Sequence, residues 1–243
     1  MKDSDWDRSA PGWLKAMGDS GDLARRDILD APMMAHAKAS GAVNALDVGC
    51  GEGRFCRMLK AAGMTATGID PTVSLLEQAR ALDPNTPYLE AVAEDLPFED
   101  GSFDLVVSYL SLIDIPDFRA GIAEMTRVLA DGGTLLVANL QAFATARPES
   151  YPPEQGLWVE DAGGPHHWGF DDYMTERPQE VAWGDIRIIN WHRPMSAYMS
   201  AFLSAGLTLT SFEEPPYTGQ SKERAALYPR APWVYLMAWK KPE

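Results

Sequence analysis

The chain has 243 residues, 46% hydrophobic and 23% charged, which is typical of one globular α/β domain with a buried core. Its formal net charge of −14 would repel a polyanion over most of the surface, so we expect no nucleic-acid partner. There is no apolar run long enough to cross a bilayer, and the N-terminus is polar and acidic. We therefore expect no membrane association, no secretory signal and a cytoplasmic location.

Short apolar runs alternate with helical repeats in the first half of the chain. An N-terminal arm at 1–22 carries Trp6 and Trp13, and a helix is predicted at 23–40. The predicted strands are 43–48, 65–69, 88–92, 103–108 and 134–139, and the helices between them are 53–62, 72–82 and 118–129. This alternation predicts right-handed crossovers and a mostly parallel, doubly wound α/β sheet. The ligand of such a sheet sits beyond the carboxyl ends of the strands, where the strand order reverses.

The alternation of predicted strands and helices stops at residues 141–193. This segment is rich in Pro, Gly, Trp and His and is too long for a passive loop, so we predict a lid or substrate-recognition insertion. A helix at 195–205 and strands at 207–212 and 233–239 are predicted to close the domain.

The stretch from Leu46 to Phe55 (LDVGCGEGRF) joins the first strand to the following helix through three glycines at alternate positions. Such a turn lets a ligand approach the backbone closely; a plain tight turn is the alternative. Dinucleotide-binding folds present GxGxxG to a pyrophosphate, whereas the spacing here is GxGxG. Asp47 at the strand end and Glu52 inside the turn would repel a pyrophosphate. They suit the sulfonium and ammonium groups of S-adenosylmethionine.

Two further acidic positions follow strands two and three. Asp70 ends the second strand, where a carboxylate can accept two hydrogen bonds from a ribose diol. It could also be the N-cap of the next helix, with Pro71 at the first helical position, and both roles can hold together. After the third strand, Asp95 could accept from an adenine amino group while Leu96 packs on the ring. The alternative is a solvated acidic turn.

The chain resembles the class I S-adenosylmethionine-dependent methyltransferases, especially the branch that modifies small molecules. The resemblance runs from about 43 to 139 and rests on LDVGCGEGRF, GID, AEDLPFEDGSFDLVVS and EMTRVLADGGTLLVANL, in that order. It implies a three-layer αβα fold with a seven-stranded sheet of order 3-2-1-4-5-7-6, the last strand antiparallel, and a lid-like insertion after strand 5.

The resemblance also implies S-adenosylmethionine as cofactor and S-adenosylhomocysteine as product. The implied cofactor-binding residues are Asp47, Gly49, Cys50, Gly51, Asp70, Pro71, Glu94, Asp95, Leu96 and Ser108, with Ser108 and Tyr109 beside the reactive methyl. Arg25 or Arg26 could bind the cofactor carboxylate, and a solvated helix face is the alternative for both.

Methyl transfer mainly requires alignment of the nucleophile and exclusion of water, and a general base is needed only if the acceptor loses a proton. The candidate catalytic residues are His166 and His167 in a Gly-Pro-His-His turn, together with Tyr109. Surface or hydrogen-bonded lid roles are the alternative for the histidines. We predict no metal, because neighbouring histidines rarely share one ion. His192, at the end of the insertion, is either catalytic or architectural.

We therefore predict a single methyltransferase domain over 1–243 that acts on a small-molecule acceptor as a monomer or homodimer. Its parts are an N-terminal arm and helix (1–42), a cofactor-binding half (43–140), the insertion (141–193) and the closing helix and strands (194–243). Two other functions are considered. The glycine spacing and Glu52 disfavour a nicotinamide-dependent oxidoreductase, whereas a non-catalytic S-adenosylmethionine-binding partner protein stays open.

Overall fold

The computed structural model describes residues 5–18, 20–155, 158–159 and 167–243, with the backbone alone at 158–159 and 167–168. The strands are β1 (Asn44–Val48), β2 (Thr65–Asp70), β3 (Tyr88–Glu90), β4 (Phe103–Tyr109), β5 (Leu129–Leu140), β6 (Trp158–Val159), β7 (His167–Trp168), β8 (Arg177–Trp183), β9 (Ile186–His192), β10 (Thr208–Glu213) and β11 (Val234–Lys240). The helices are α1 (Asp5–Met17), α2 (Asp30–Ala39), α3 (Arg54–Ala61), α4 (Val73–Leu82), α5 (Phe118–Val128), α6 (Ala142–Thr145), α7 (Met195–Ser204) and α8 (Lys222–Leu227). A π-helical turn (Arg25–Leu29) leads into α2, and a 3₁₀ turn (Tyr228–Arg230) follows α8.

Seven strands form the central sheet in the order β3-β2-β1-β4-β5-β11-β10. The first five are parallel, and β11 runs antiparallel to both of its neighbours. When the strands of this sheet alone are counted, the order is 3-2-1-4-5-7-6, so the predicted topology is confirmed. The order reverses between β1 and β4, and the carboxyl ends of these two strands therefore mark the place for a ligand.

The sheet separates two hydrophobic clusters, which makes the fold a three-layer αβα sandwich. Leu105 and Val107 of β4 belong to the cluster under α2, α3 and α4, whereas Val106 belongs to the cluster under α5 and α7. Successive side chains of a strand point to opposite faces, so strands buried on both faces are apolar almost throughout. This explains why the predicted strands appear in the sequence as continuous apolar runs.

The N-terminal arm contains a helix, α1, which the sequence analysis did not predict. This helix packs against β9 of the antiparallel β8–β9 hairpin in the insertion. Ser9 Oγ donates to the Arg187 carbonyl at 2.8 Å and accepts from the Arg187 N–H at 3.0 Å. Gly12 lies so close to the hairpin that an added Cβ would stand 2.7 Å from the Asp185 carbonyl oxygen. The arm and the insertion are thus one packed unit above the sheet.

Most predicted bounds agree with the structure to within two residues, and β5 is the main exception. It begins at Leu129, upstream of the predicted start at Thr134. The intervening segment pairs with the end of the chain, since Gly132 N donates to the Lys241 carbonyl at 3.0 Å and Lys241 N donates to the Gly133 carbonyl at 3.2 Å. None of the helices described by the structure is long and apolar enough to cross a membrane.

Candidate active site

The glycine turn after β1 is held against the end of β2. The backbone N–H groups of Gly49 and Cys50 both donate to the Ile69 carbonyl, at 2.8 and 2.9 Å. Gly49 has φ 77°, a left-handed conformation that side chains disfavour, and a Cβ there would lie 2.4 Å from Ser111 Cβ. Gly53 has no more room, because its Cβ would meet the Tyr88 hydroxyl at 2.3 Å. The turn therefore needs its glycines for conformation and for space.

Asp70, at the end of the neighbouring strand β2, stabilises this turn by hydrogen bonds. Its Oδ2 accepts from Gly51 N at 2.9 Å and its Oδ1 accepts from Thr72 N at 2.8 Å. Burial raises the pKa of Asp70. The predicted capping role is wrong in detail: the N-cap of α4 is Thr72, and Pro71 precedes the helix instead of opening it. Each carboxylate oxygen can accept a second hydrogen bond, so Asp70 can still bind a ligand hydroxyl.

Two adjoining cavities surround the turn at the carboxyl ends of β1, β2 and β4. The main cavity has a volume of about 160 Å³ and is lined by residues that include Gly51, Ile69, Asp70, Ala93, Glu94 and Asp114. The side cavity, of about 40 Å³, is lined by residues that include Asp47, Glu52, Phe55 and Tyr109. Trp13, Arg25 and Gly49 line both. The cavities therefore lie where the strand order reverses, and α1 forms part of their wall.

Asp47 places a buried carboxylate at the side cavity. Its Oδ2 accepts from Cys56 Sγ at 3.6 Å, but no group among the described residues donates to its buried Oδ1. The pKa of Asp47 is raised to about 7, mainly by burial and also by the negative charges of Asp70 and Glu52. An unpartnered buried carboxylate oxygen is costly, and a cationic ligand group would both satisfy it and favour its charged form.

Trp13 and Arg25 bring the N-terminal region to the same cavities. Trp13 Nε1 donates to Glu52 Oε2 at 3.1 Å. The Arg25 guanidinium stands 4.9 Å from the centre of a Trp13 ring, within the range of a cation–π contact. Arg26, by contrast, forms a surface ion pair with Asp27 at 2.8 Å. Of the two candidate arginines, Arg25 is therefore the one that reaches the cavities.

Comparison with known proteins agrees with this geometry. Residues 46–137 match a family model described as a methyltransferase domain. A crystal structure of an S-adenosylmethionine-dependent methyltransferase from Mesorhizobium loti superposes with a TM-score of 0.77 at 26% identity, covering 91% of this chain and 99% of that one. The chain contains a class I S-adenosylmethionine-dependent methyltransferase domain.

Two curated relatives extend the comparison. The methyltransferase domain is 39% identical over 97 residues to a malonyl-[acyl-carrier protein] O-methyltransferase from Erwinia billingiae, covering 40% of this chain and 39% of that protein. It is 40% identical over 100 residues to a demethylmenaquinone methyltransferase from Staphylococcus aureus, covering 39% of this chain and 42% of the relative. The chain thus spans less than half the length of both relatives.

The cofactor of the methyltransferase domain is S-adenosylmethionine, and the residues at the cavities fit it. Its ammonium and sulfonium are cationic groups, which complement the negative charges of Asp47, with its unpartnered Oδ1, and of the neighbouring Glu52. Its ribose carries the diol that Asp70 can accept from, and the main cavity has apolar walls such as Ile69 and Ala93 that suit a nucleoside base. Arg25, at both cavities, carries the opposite charge to the amino-acid carboxylate.

The residues predicted around the adenine and the methyl are only partly at the cavity wall. Glu94 lines the main cavity. Asp95 is exposed, and Leu96 is buried in the core cluster under α5, while Val92 and Ala93 stand at the wall. Ser108 is fully buried, with its Oγ 2.9 Å from Ser111 Oγ. Ser111 is the serine at the cavity.

Tyr109 lines the side cavity with its ring and directs its hydroxyl elsewhere. The hydroxyl donates to Asp30 Oδ1 of α2 at 2.9 Å. Burial raises the pKa of Tyr109 well above its ordinary value, and the nearby Asp30 charge raises it further. This geometry gives Tyr109 a positioning role between the sheet and α2, and it does not favour the predicted role in proton transfer.

The predicted catalytic histidines lie in the insertion. His166 is outside the described residues, as is the side chain of His167, whose backbone belongs to β7. His192 is fully buried, with Nδ1 2.9 Å from Thr145 Oγ1 and Nε2 2.8 Å from the Tyr173 carbonyl oxygen. Burial lowers its pKa, so His192 is a neutral, hydrogen-bonded residue. This environment favours the architectural role over the catalytic one. Across the described part of the chain, no group of three or more His, Cys, Asp or Glu side chains is placed to hold a metal ion.

Three groups at the cavities have roles that sequence reasoning missed. Trp6 and Trp13 line the main cavity from α1, and their only signal was that they are aromatic residues in a polar arm. Asp114 lines the same cavity from the turn after β4. Asp70 was predicted as a site residue because it is an acidic residue at the end of a strand. Asp114 could have been found in a similar way, because it is an acidic residue that follows β4 closely.

Proposed function

We propose that this chain binds S-adenosylmethionine around the glycine turn and transfers its methyl group to a small-molecule acceptor. The observation that carries the proposal is the buried, unpartnered Oδ1 of Asp47 at the side cavity. Glu52 and Asp70 add two more carboxylates around the same turn. This arrangement favours a cationic nucleoside over a dinucleotide, because a pyrophosphate would meet like charge.

The proposed contacts follow the two cavities. Asp47 and Arg25 would hold the ammonium and carboxylate of the amino-acid end, and Asp70 would accept from the ribose. Glu94 would face the adenine. The turn residues Gly49, Cys50 and Gly51, with Pro71, would surround the rest of the cofactor. Asp95, Leu96 and Ser108 stay candidates for cofactor binding on the basis of the sequence alone.

The residues of the chain contribute positioning and exclusion of water. Bound S-adenosylmethionine supplies a methyl group that is already activated by the sulfonium. Trp6 and Trp13 cover the cavity from α1, which restricts the entry of water, and the glycine turn sets the position of the cofactor against the end of β4. Alignment of this kind is a large part of the barrier reduction in a displacement reaction.

The acceptor belongs to the class of small metabolites or carrier-bound acyl groups. By their names, the relatives act on malonyl-[acyl-carrier protein] and on demethylmenaquinone, and these two compounds are the first acceptors to test. Formation of S-adenosylhomocysteine with either would establish turnover. Binding of S-adenosylmethionine without transfer to any acceptor would favour the non-catalytic partner instead. In such an assay, His166→Ala and His167→Ala test the two predicted catalytic histidines.

The cofactor proposal is tested by calorimetry with S-adenosylhomocysteine. Asp70→Ala should weaken binding by about 1.5–3 kcal/mol, because a charged hydrogen-bond acceptor is lost and the Gly51 N–H loses its partner. Glu77→Ala, an exposed change on the adjacent α4, should leave the affinity unchanged. Absence of S-adenosylhomocysteine binding to the unaltered protein, or tight binding of NAD in its place, would contradict the proposal.

A further inference from the structure

The turn that follows β4 is fixed tightly against the glycine turn. Leu110 has φ 55°, a conformation that costs a non-glycine residue energy and is often found at functional sites. Ser111 Oγ donates to the Val48 carbonyl of β1 at 2.6 Å, and Asp114 N donates to the Ser111 carbonyl at 2.9 Å. These bonds place Asp114 at the main cavity, beside the end of β1.

The insertion holds the same turn from the other side. Trp191 N of β9 donates to the Ile113 carbonyl at 2.8 Å. The Arg193 guanidinium, only 1% exposed, lies beneath the turn. It donates to the carbonyl oxygens of Leu112 at 3.2 Å, Ile115 at 2.5 Å and Pro116 at 2.9 Å. The position of Asp114 is therefore set by β1, by β9 and by a buried cation.

Only one oxygen of the Asp114 carboxylate accepts a hydrogen bond from the described residues. Asn190 Nδ2 of β9 donates to Oδ1 at 2.5 Å, and we find no second donor to Asp114 among the residues that the structure describes. The pKa of Asp114 is raised to about 7, mainly by burial and also by the Asp70 charge, whereas the hydrogen bond from Asn190 and the charges of Arg25 and Arg193 oppose this rise. A carboxylate that exchanges its proton near neutral pH is suited to general base catalysis.

Three other groups that could exchange a proton, Tyr109, His192 and Asp70, already make hydrogen bonds. The Tyr109 hydroxyl donates to Asp30, and both ring nitrogens of His192 are hydrogen-bonded. Asp70 accepts backbone N–H groups on both oxygens. Asp114 lines the main cavity, unlike Tyr109 and His192, and accepts on one oxygen only, unlike Asp70. Asp47, whose Oδ1 has no donor, lies instead at the side cavity, where the ammonium of the cofactor is proposed to bind.

We propose that Asp114 is a catalytic residue that takes the proton of the attacking nucleophile, so that the acceptors of this chain carry an O–H or N–H group. This inference rests on the proposed methyl transfer. As the acceptor's oxygen or nitrogen lone pair forms the new bond to the methyl carbon, the carbon–sulfur electron pair stays on sulfur. The acceptor's proton passes to Asp114 Oδ2 and is later released to water. Asn190 is a positioning residue that orients the carboxylate.

The test compares the binding of sinefungin with that of S-adenosylhomocysteine and needs no acceptor. Sinefungin carries a protonated amine where S-adenosylmethionine carries its methylsulfonium, so its N–H groups lie where the methyl would be transferred, whereas S-adenosylhomocysteine has neither charge nor methyl there. Asp114→Asn should weaken sinefungin binding by about tenfold or more, since a charge-assisted hydrogen bond is lost. Binding of S-adenosylhomocysteine should change by less than about threefold, because that ligand does not make this bond.

Two further variants complete the experiment. Asp117→Asn changes an exposed residue three positions along the same segment and keeps the oxygen that caps α5, so it should leave both affinities unchanged. Asn190→Ala keeps the Asp114 carboxylate without its donor. It should raise the pH below which sinefungin binding weakens, because the carboxylate then loses a bond that favours its charged form.

Equal weakening of sinefungin and S-adenosylhomocysteine binding by Asp114→Asn, or no change in sinefungin binding, would overturn the role of Asp114. So would an Asn190→Ala variant whose sinefungin binding keeps the pH profile of the unaltered protein. Failure of the unaltered protein to bind S-adenosylhomocysteine would instead overturn the proposed function.

Discussion

Gly49 illustrates how one residue sets the shape of the cavities. Its left-handed backbone brings the turn within van der Waals distance of Ser111, so the turn and the segment after β4 share one wall. Gly63 also has a positive φ, of 93°, but none of the described atoms would lie within 4 Å of a Cβ there. A substitution at Gly63 therefore reports the cost of backbone strain alone, whereas a substitution at Gly49 adds the cost of steric overlap.

We predict that Gly63→Ala lowers the free energy of unfolding by about 1 kcal/mol, the cost of a left-handed non-glycine residue. Gly49→Ala should lower it by roughly 2–4 kcal/mol, because overlap with Ser111 Cβ adds to that strain, and it should also weaken S-adenosylhomocysteine binding. Urea denaturation and calorimetry measure the two effects. Equal losses of stability in the two variants would show that Ser111 moves aside freely.

The contact between α1 and the β8–β9 hairpin shows how one element links the cavities to the insertion. Helix α1 lines the cavities with Trp6 and Trp13 and bonds the hairpin through Ser9. The same hairpin positions Asp114 through Asn190. Binding of a ligand against α1 should therefore also order the hairpin that bonds Asp114.

We predict that Gly12→Ala loosens α1 although it raises helix propensity. Alanine favours a helix over glycine by about 1 kcal/mol, but its Cβ would stand 2.7 Å from the Asp185 carbonyl oxygen. Limited proteolysis should cut the N-terminal segment faster in this variant, and S-adenosylhomocysteine binding should weaken several-fold. Lys15→Ala removes an exposed ion pair with Asp185 that contributes little, so it should change neither measurement. An unchanged proteolysis rate in Gly12→Ala would show that α1 docks without this contact.

At the scale of the whole molecule, the stability of the protein depends on where its negative charge lies. The chain carries 35 acidic and 21 basic residues, and three of its carboxylates, those of Asp47, Asp70 and Asp114, have raised pKa values because they are buried near the same cavities. A raised pKa means that the folded protein holds a proton which the unfolded chain releases. Stability from these groups is therefore present at low pH and falls as the pH rises toward the folded pKa.

Asp47→Asn should thus stabilise the protein more at pH 8 than at pH 5. Because burial raises the pKa of Asp47 to about 7, the gain should be larger at pH 8 by roughly 2 kcal/mol. Chemical denaturation at both pH values measures it. Asp100→Asn removes the same formal charge from a side chain that is 80% exposed, and its effect should be small at both. An Asp47→Asn effect that is independent of pH would mean that the carboxylate is charged throughout this range.

The sequence by itself determined the parts of this protein that depend on local pattern. The apolar runs predicted the parallel strands, the glycine spacing located the turn, and Asp47 and Asp70 were found because each lies at the end of a strand. The resemblance to a known family added the strand order, including the antiparallel β11. These features can be predicted from the sequence because strand burial and glycine conformation require particular residue types at neighbouring positions.

Only the tertiary structure decided which side chains meet at the cavities. Trp13 and Glu52 are 39 residues apart and Asn190 and Asp114 are 76 apart, and no local pattern joins them. The direction of the Tyr109 hydroxyl depends on the packing of α2 against β4. Side-chain direction at a strand end is set by the twist of the sheet and by neighbours distant in sequence, so the set of side chains that lines the cavities could be found only once the chain was folded.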